Sequence, residues 1–245
     1  MNAGDIKKPV SRLPEHDLLE QGFNKLFPQK TNVAVIEKLK KYMKEIELFN
    51  EAYGLVKVSS REELIIKHIL DSISPLPKLD GRNSESGFCN IQSNTAKIQA
   101  ADVGSGAGLP GIPLAICLPD TEFTLIERMG RRAGFLRNCA AVLELPNVRV
   151  EETEMEQAEP ARFDIAVFRA LRPLEPDILK ALLRLIKPDG MLAAWKGRME
   201  NAREEMQNAA KNIPGLQWEI TPIEVPYLNE KRCLVIINNL AASRV

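Results

Sequence analysis

The chain has 245 residues, 44% of them apolar, and its 33 Lys and Arg balance 33 Asp and Glu. That length holds one α/β domain with a smaller attachment, and the neutral balance excludes wholesale electrostatic binding to nucleic acid while leaving a local basic face open. With two histidines, and four cysteines that lack any CxxC pairing, neither a metal site nor a disulfide framework is expected.

The first 30 residues are polar and proline-punctuated, have no apolar leader segment and read as a flexible extension. No stretch approaches the length of a membrane span, so a cytoplasmic protein with no membrane partner is expected. From Val33 to Tyr53 the apolar residues Val35, Ile36, Leu39, Met43, Ile46 and Phe49 recur at three- and four-residue steps, the stripe of an amphipathic helix. Lys38, Lys40, Lys41 and Lys44 lie mostly off that stripe and read as a solvated face. Ser60-Arg61-Glu62-Glu63 fits a capping box that opens a second helix through Leu64, Ile65, His68, Ile69 and Ser72. Residues 31–80 therefore read as a helical cap. Residues 81–97, rich in Gly, Ser and Asn, read as a flexible insertion or linker, and residues 98–245 as the main domain.

Beyond Lys97, short β-rich runs alternate with helical ones, which predicts a mostly parallel sheet covered by helices. Strands are expected at 98–103, 122–127, 147–151, 163–168 and 190–195, and helices at 110–118, 130–144, 174–187 and 198–212. The tail breaks that rhythm. Gln217 to Val225 and Arg232 to Asn238 read as two strands joined by a turn around Asn229-Glu230, an antiparallel hairpin closing the sheet.

Between the first of these strands and its helix, Ala101 to Pro113 read ADVGSGAGLPGIP. Glycine lets a ligand lie against bare backbone and tolerates positive φ, so this loop predicts a nucleotide-type site. Gly106-x-Gly108-x-x-Gly111 satisfies the dinucleotide fingerprint. Gly104-x-Gly106-x-Gly108 fits equally the S-adenosylmethionine loop of class I methyltransferases, and the closing hairpin favours that Rossmann-like fold. Glu127 follows about 20 residues later at a strand end, where a carboxylate can accept hydrogen bonds from both hydroxyls of a ribose. Arg128, Arg131, Arg132 and Arg137 then crowd a helix start, where positive charge opposes the macrodipole and suggests an anionic partner such as RNA phosphate. A solvated face, or pairing with Glu127, is the alternative.

Phe168-Arg169-Ala170 follows the fourth expected strand, and Arg169, at the edge of the ligand cleft, is the candidate catalytic residue. An Asp/Asn-Pro-Pro-Tyr/Phe signature and a Pro-Cys nucleophile are both absent, which removes support for adenine-N6, cytosine-N4 and cytosine-C5 methylation. Guanine N7 fits what remains, because its lone pair attacks without prior loss of a proton. Alignment of donor and acceptor then suffices.

His68-Ile69-Leu70-Asp71-Ser72, Asp102 to Pro113, and Gly130-Arg131-Arg132 with Phe135-Leu136-Arg137 together resemble the bacterial 16S ribosomal RNA guanine-N7 methyltransferases of the glucose-inhibited-division B (GidB) family, over about Phe49 to Asn238. The resemblance implies that Gly104, Leu109, Met155, Glu156 and Arg169 contact S-adenosylmethionine and that Glu127 holds the ribose; Gly106 and Gly108, as glycines of the loop, are expected to bind the cofactor with them. It implies as substrate a guanine of 16S ribosomal RNA, or of the small subunit, near the decoding site. Arg131, Arg132 and Arg137 would hold the RNA backbone, and the enzyme would act as a monomer. Gly54, Val56, Glu154 and Phe168 depart from the family pattern. His68 reads as a hydrogen-bonded structural histidine rather than a base. A nicotinamide-dependent oxidoreductase and a non-catalytic RNA-binding protein on the same scaffold remain open at this point.

Overall fold

The computed structural model describes residues 15–29, 32–79, 97–169 and 174–238. The first 14 residues of the expected extension, and the expected insertion apart from Lys97, lie outside them.

The N-terminal part is helical: α1 (Glu15–Leu26), α2 (Val33–Tyr53), α3 (Arg61–Leu64), a π-helical stretch (Ile65–Leu70), α4 (Asp71–Ile73) and α5 (Leu76–Leu79). Asn32 caps α2, its side chain accepting from the Val35 amide at 3.2 Å, and Gly54 ends it in the left-handed conformation. Ser60 accepts from the Glu63 amide at 3.1 Å, while the Glu63 carboxylate reaches back to the Ser59 amide at 2.7 Å. The expected capping box thus closes one residue further out. Two expectations are corrected here. Residues 15–26 are a helix rather than a flexible extension, because Leu18, Leu19 and Phe23 are buried. Its apolar stripe is broken by Gly22, and the break serves packing: a Cβ there would overlap the Leu70 side chain. The second cap helix, expected to be continuous, carries the π-helical stretch, a wider turn that re-aims the residues after it.

The remainder forms a seven-stranded sheet of order β3-β2-β1-β4-β5-β7-β6. The strands are β1 (Gln99–Val103), β2 (Glu122–Ile126), β3 (Val148–Glu151), β4 (Phe163–Arg169), β5 (Ile186–Lys196), β6 (Gln217–Ile223) and β7 (Arg232–Asn238). The first five run parallel; β7 pairs antiparallel with both β5 and β6. Helices α6 (Gly111–Cys117), α7 (Gly130–Val142), α8 (Pro176–Leu185) and α9 (Met199–Ala210) cover it. β5 begins four residues before its expected start. Phe163 pairs with Ile186 but Ile165 pairs with Met191, so Lys187-Pro188-Asp189-Gly190 bulges out of the ladder.

Alternate residues of the central strands divide between two cores. Ala100, Phe123, Leu125, Ile165 and Val167 face the cap, α6 and α7, in one hydrophobic cluster that runs without a break from Leu18 to Ile236. Ala101, Ile126, Ala166, Phe168 and Leu192 face α8 and α9. Burial on both faces is why these strands are mostly apolar at successive positions and do not alternate strictly with polar residues. The chain winds outward from β1 in one direction and from β4 in the other, so the crevice for a ligand opens at the carboxyl ends of these neighbouring strands.

Candidate cofactor site

At the end of β1 the chain turns through Gly104 to Pro110 into α6. Gly104 and Ser105 donate their amides to Ile126 O at 3.0 and 3.1 Å, tying the loop to β2. Asp102, fully buried, accepts from Ser105 Oγ at 2.6 Å and from the Gly111 amide at 3.1 Å. Burial still pushes its carboxyl up to about 6. Two glycines of the motif have separable roles. Gly106 has φ +59°, and a Cβ there would meet only Gly104 O at 3.8 Å, so its bare backbone faces open space. Gly108 has φ +91°, but a Cβ there would press on Ile112 Cδ1 at 2.6 Å and Leu136 Cδ2 at 3.0 Å. One leaves space beside the loop; the other serves the packing of α6 and α7.

Glu127 lies just beyond β2 and is 4% exposed. Its Oε2 accepts from the Gly106 amide and its Oε1 from the Met129 amide, both at 2.9 Å. Each oxygen keeps a second lone pair, so the carboxylate is fixed in orientation yet able to accept two hydroxyl donors. Beside it opens a cleft of about 570 Å³ whose lining includes Gly104, Ile126, Glu127, Met129, Met155 and Glu156. That volume suits a small-molecule cofactor. Of the residues assigned to the cofactor from sequence, Gly104, Glu127, Met155 and Glu156 line the cleft, and Gly106 is bonded to Glu127 beside it. Gly108 and Leu109 pack inward, Leu109 at 6% exposure. Thr153 and Met129, which carry no sequence signal, also line it.

The arginines separate as well. Arg132 lines the cleft and Arg131 lies over the Tyr53 ring, 5.6 Å from its centroid. Among the described residues neither has a carboxylate at ion-pair distance. Arg137 pairs with Glu152 at 3.0 Å and Arg128 with Glu154 at 3.7 Å, so the local pairing is with these glutamates and not with Glu127.

Arg169 ends β4 and turns toward the cap instead of lining the cleft. Its guanidinium donates to Asp71 Oδ2 at 3.0 Å, Lys67 O at 3.2 Å and His68 Nδ1 at 3.0 Å. Arginine has no acceptor, so His68 Nδ1 must carry the lone pair and its proton sits on Nε2. Asp71, 4% exposed, also meets Arg232 Nε at 3.3 Å, and its backbone carbonyl accepts from Trp195 Nε1 at 3.1 Å. The π-helical stretch thus delivers the His68 side chain and the Lys67 carbonyl, and the first residue of α4 delivers the Asp71 carboxylate, to one sheet arginine.

Burial, reinforced by the Arg169 charge, holds the His68 imidazole down at about 4, from an ordinary 6.5. The folded chain therefore keeps His68 neutral where the unfolded chain protonates it. The stability this contributes is whole above about pH 6.5 and is lost as pH falls toward 4, by at most about 3 kcal/mol at about 1.4 kcal/mol per pH unit. Asp102 works the other way between its ordinary carboxylate range and pH 6, since the folded chain takes up its proton first. Comparing variants isolates the histidine: between pH 7 and 5 the wild type should lose Tm faster than His68→Gln, whose amide oxygen can still accept from Arg169. Parallel Tm profiles would contradict the assigned tautomer and pairing.

Residues 35–223 match the family model GidB, described as rRNA small subunit methyltransferase G. The chain belongs to the GidB family. A protein of Treponema pallidum named ribosomal RNA small subunit methyltransferase G is 37% identical over 94% of this chain and 96% of its own length. The Treponema denticola protein of that name is 36% identical over 95% and 98%, and the Bordetella pertussis one 31% identical over 81% and 83%. With its 3-2-1-4-5-7-6 strand order, the GidB chain has the class I methyltransferase fold.

The family departures have local explanations. Gly54, at φ +58°, is the left-handed cap of α2, and the Val56 amide donates to Asn50 Oδ1 at 2.9 Å. Phe168 is 1% exposed in the core under α8, so its apolar side chain lies away from the cleft. Glu154 lines the cleft wall and pairs with Arg128.

Proposed function

We propose that this chain transfers the methyl group of S-adenosylmethionine to N7 of a guanine in 16S ribosomal RNA near the decoding site. The observation that carries the cofactor half is the Glu127 carboxylate, oriented by two backbone amides at the mouth of a glycine loop whose Gly106 faces open space. Those residues fit the group: Glu127 would hold the ribose, Gly104 and Gly106 admit the amino-acid part, and Met155 with Ile126 give an apolar wall for the base. When bound, the cofactor supplies an electrophilic methyl on sulfur. The chain's own work is alignment. Guanine N7 has a free lone pair, so no side chain need accept a proton before attack. His68 is accordingly spent on Arg169. Family membership and the closing β6-β7 hairpin both disfavour a nicotinamide cofactor.

The acceptor half rests on the family and on the arginines beside the cleft. The RNA is held by Arg131 and Arg132, with Arg137 contributing less because Glu152 already neutralises it. In this reading the enzyme works in the cytoplasm as a monomer, its cleft built within one chain. Labelled S-adenosylmethionine and small-subunit RNA from cells lacking the enzyme should yield label at N7 of one guanine. Label on another base, or none beside a competent control enzyme, overturns the reading. The Arg131→Ala/Arg132→Ala double variant should weaken RNA binding and flatten the plot of log affinity against log salt by about one to two units of slope. An unchanged slope would make these arginines a solvated face.

A further inference from the structure

We propose that Tyr42, on α2 of the cap, is a positioning residue of the donor site, its hydroxyl holding the Ala107 peptide and with it the turn formed by Gly106 and Gly108. The inference rests on the reading of this loop as the seat of S-adenosylmethionine. Tyr42 has no exposed surface, and its hydroxyl donates to Ala107 O at 2.6 Å from 65 residues away in sequence. Ala107 is 5% exposed, and among the described residues no other hydrogen bond reaches its carbonyl. Burial pushes the phenol well above its ordinary value, so the proton stays on oxygen and the group remains a donor.

The geometry around this bond gives it leverage. Gly106 and Gly108 flank Ala107 at φ +59° and +91°, and Gly108 O accepts the helix-type bond of the Ile112 amide at 2.8 Å, where α6 begins. Gly106 is tied to Glu127 through its amide, and the Gly108 amide turns back to Ser105 O at 2.7 Å. Both ties lie inside the sheet half of the molecule. The Ala107 carbonyl between them is held from the cap, so the same loop that orients Glu127 is set by a helix that contributes no residue to the cleft lining. Losing the phenol oxygen would leave a buried carbonyl unpaired and the turn free to rotate toward other partners. The donor must then reorder the loop on binding, which lowers affinity without touching the acceptor.

Tyr42→Phe removes that oxygen and keeps the ring, so the packing of α2 is retained. Leu39→Ala, on the same buried face but with no bond to the loop, serves as the control for general loosening of the cap. Measured by calorimetry well below either Tm, Tyr42→Phe should bind S-adenosylmethionine roughly tenfold more weakly, the effect of about one hydrogen bond. Its KM for the donor should rise by the same factor, while kcat at saturating donor and KM for RNA stay within about twofold. Leu39→Ala should lower Tm yet bind the donor as the wild type does. In the wild type, the donor should slow amide exchange at residues 106–109 and around Tyr42 on α2, and leave α9 as it was. Equal donor affinity in Tyr42→Phe and wild type, equal weakening in both variants, or exchange in α2 that ignores the donor would each overturn the inference. A wild type that binds no donor would instead overturn the cofactor reading itself, and this inference with it.

Discussion

Gly106→Val is expected to abolish S-adenosylmethionine binding in a chain that still folds. At φ +59° an L-residue costs roughly 1–2 kcal/mol, and a β-branched one is disfavoured further. That strain alone is survivable. What removes binding is direction: a Cβ at Gly106 meets no packed side chain, so the added methyls enter the space proposed for the ligand. The substitution also strains the amide that orients Glu127 Oε2. Calorimetry should show no heat of binding, while thermal unfolding stays cooperative. Gly108→Val provides the contrast, because its methyls would collide with Ile112 and Leu136 and the loss would fall on Tm. Wild-type affinity in Gly106→Val would show that the cofactor lies elsewhere.

Arg169→Ala should lose both activity and stability. A cation at the ligand edge of the sheet, read from sequence alone, suggests a residue whose removal spares the fold. The structure instead turns it away from the cleft lining, where it neutralises Asp71 inside the contact between cap and sheet. Stripping one partner from a buried ion pair costs about 3–5 kcal/mol. Arg232, still 3.3 Å from Asp71, keeps the loss near the lower end. Burial already outweighs both arginines and raises the Asp71 carboxyl above its ordinary value, so proton uptake relieves part of the penalty. The sign follows: the Tm gap between wild type and variant should narrow as pH falls and Asp71 protonates, and widen toward neutrality. About 3 kcal/mol corresponds to a Tm drop of roughly 6–12 °C in a chain of this size. Activity should be compared far enough below the variant's Tm to separate the two losses. Arg169→Lys should recover little, because one ammonium cannot replace a planar fork that reaches Asp71, Lys67 O and His68 together. An unchanged Tm in Arg169→Ala would mean that Asp71 does not depend on it.

The parts of the fold legible in the sequence are those with a local signature. β1, β2 and β4 are buried on both faces and read as short, mostly apolar runs, and α2 carries a stripe long enough to be unmistakable. The glycine loop and Glu127 were legible for the same reason, since a turn chemistry and a strand end are local features. α1 was not, because its few apolar residues are interrupted by Gly22 and acquire meaning only against Leu70, 48 positions later. The early start of β5 was hidden by Lys187-Pro188-Asp189-Gly190, which reads as a turn and is one, but inside the strand. Within the site, Arg169 was correctly placed at the strand end while its direction was not legible. Its partner Asp71 is 98 residues away, and no spacing rule connects them. Tyr42 was hidden in plain view: it extends the apolar stripe of α2, and its hydroxyl has no meaning until Ala107 is beside it.

The unbroken cluster from Leu18 to Ile236 bears on how the chain is made. A ribosome releases the cap helices first, yet Leu39, Ile46 and Ile69 share one core with Leu114, Phe135 and Trp195, the last of them translated 156 residues after Leu39. β5, the strand that carries Trp195, gains its second neighbour only when β7 emerges. For most of its synthesis the chain therefore shows an amphipathic bundle with its sticky side outward, a state that invites chaperone holding and punishes early termination. A stop codon before Arg232 would take away no residue of the cleft lining but would remove β7, whose Leu234 and Ile236 close the cluster on which the first helices wait.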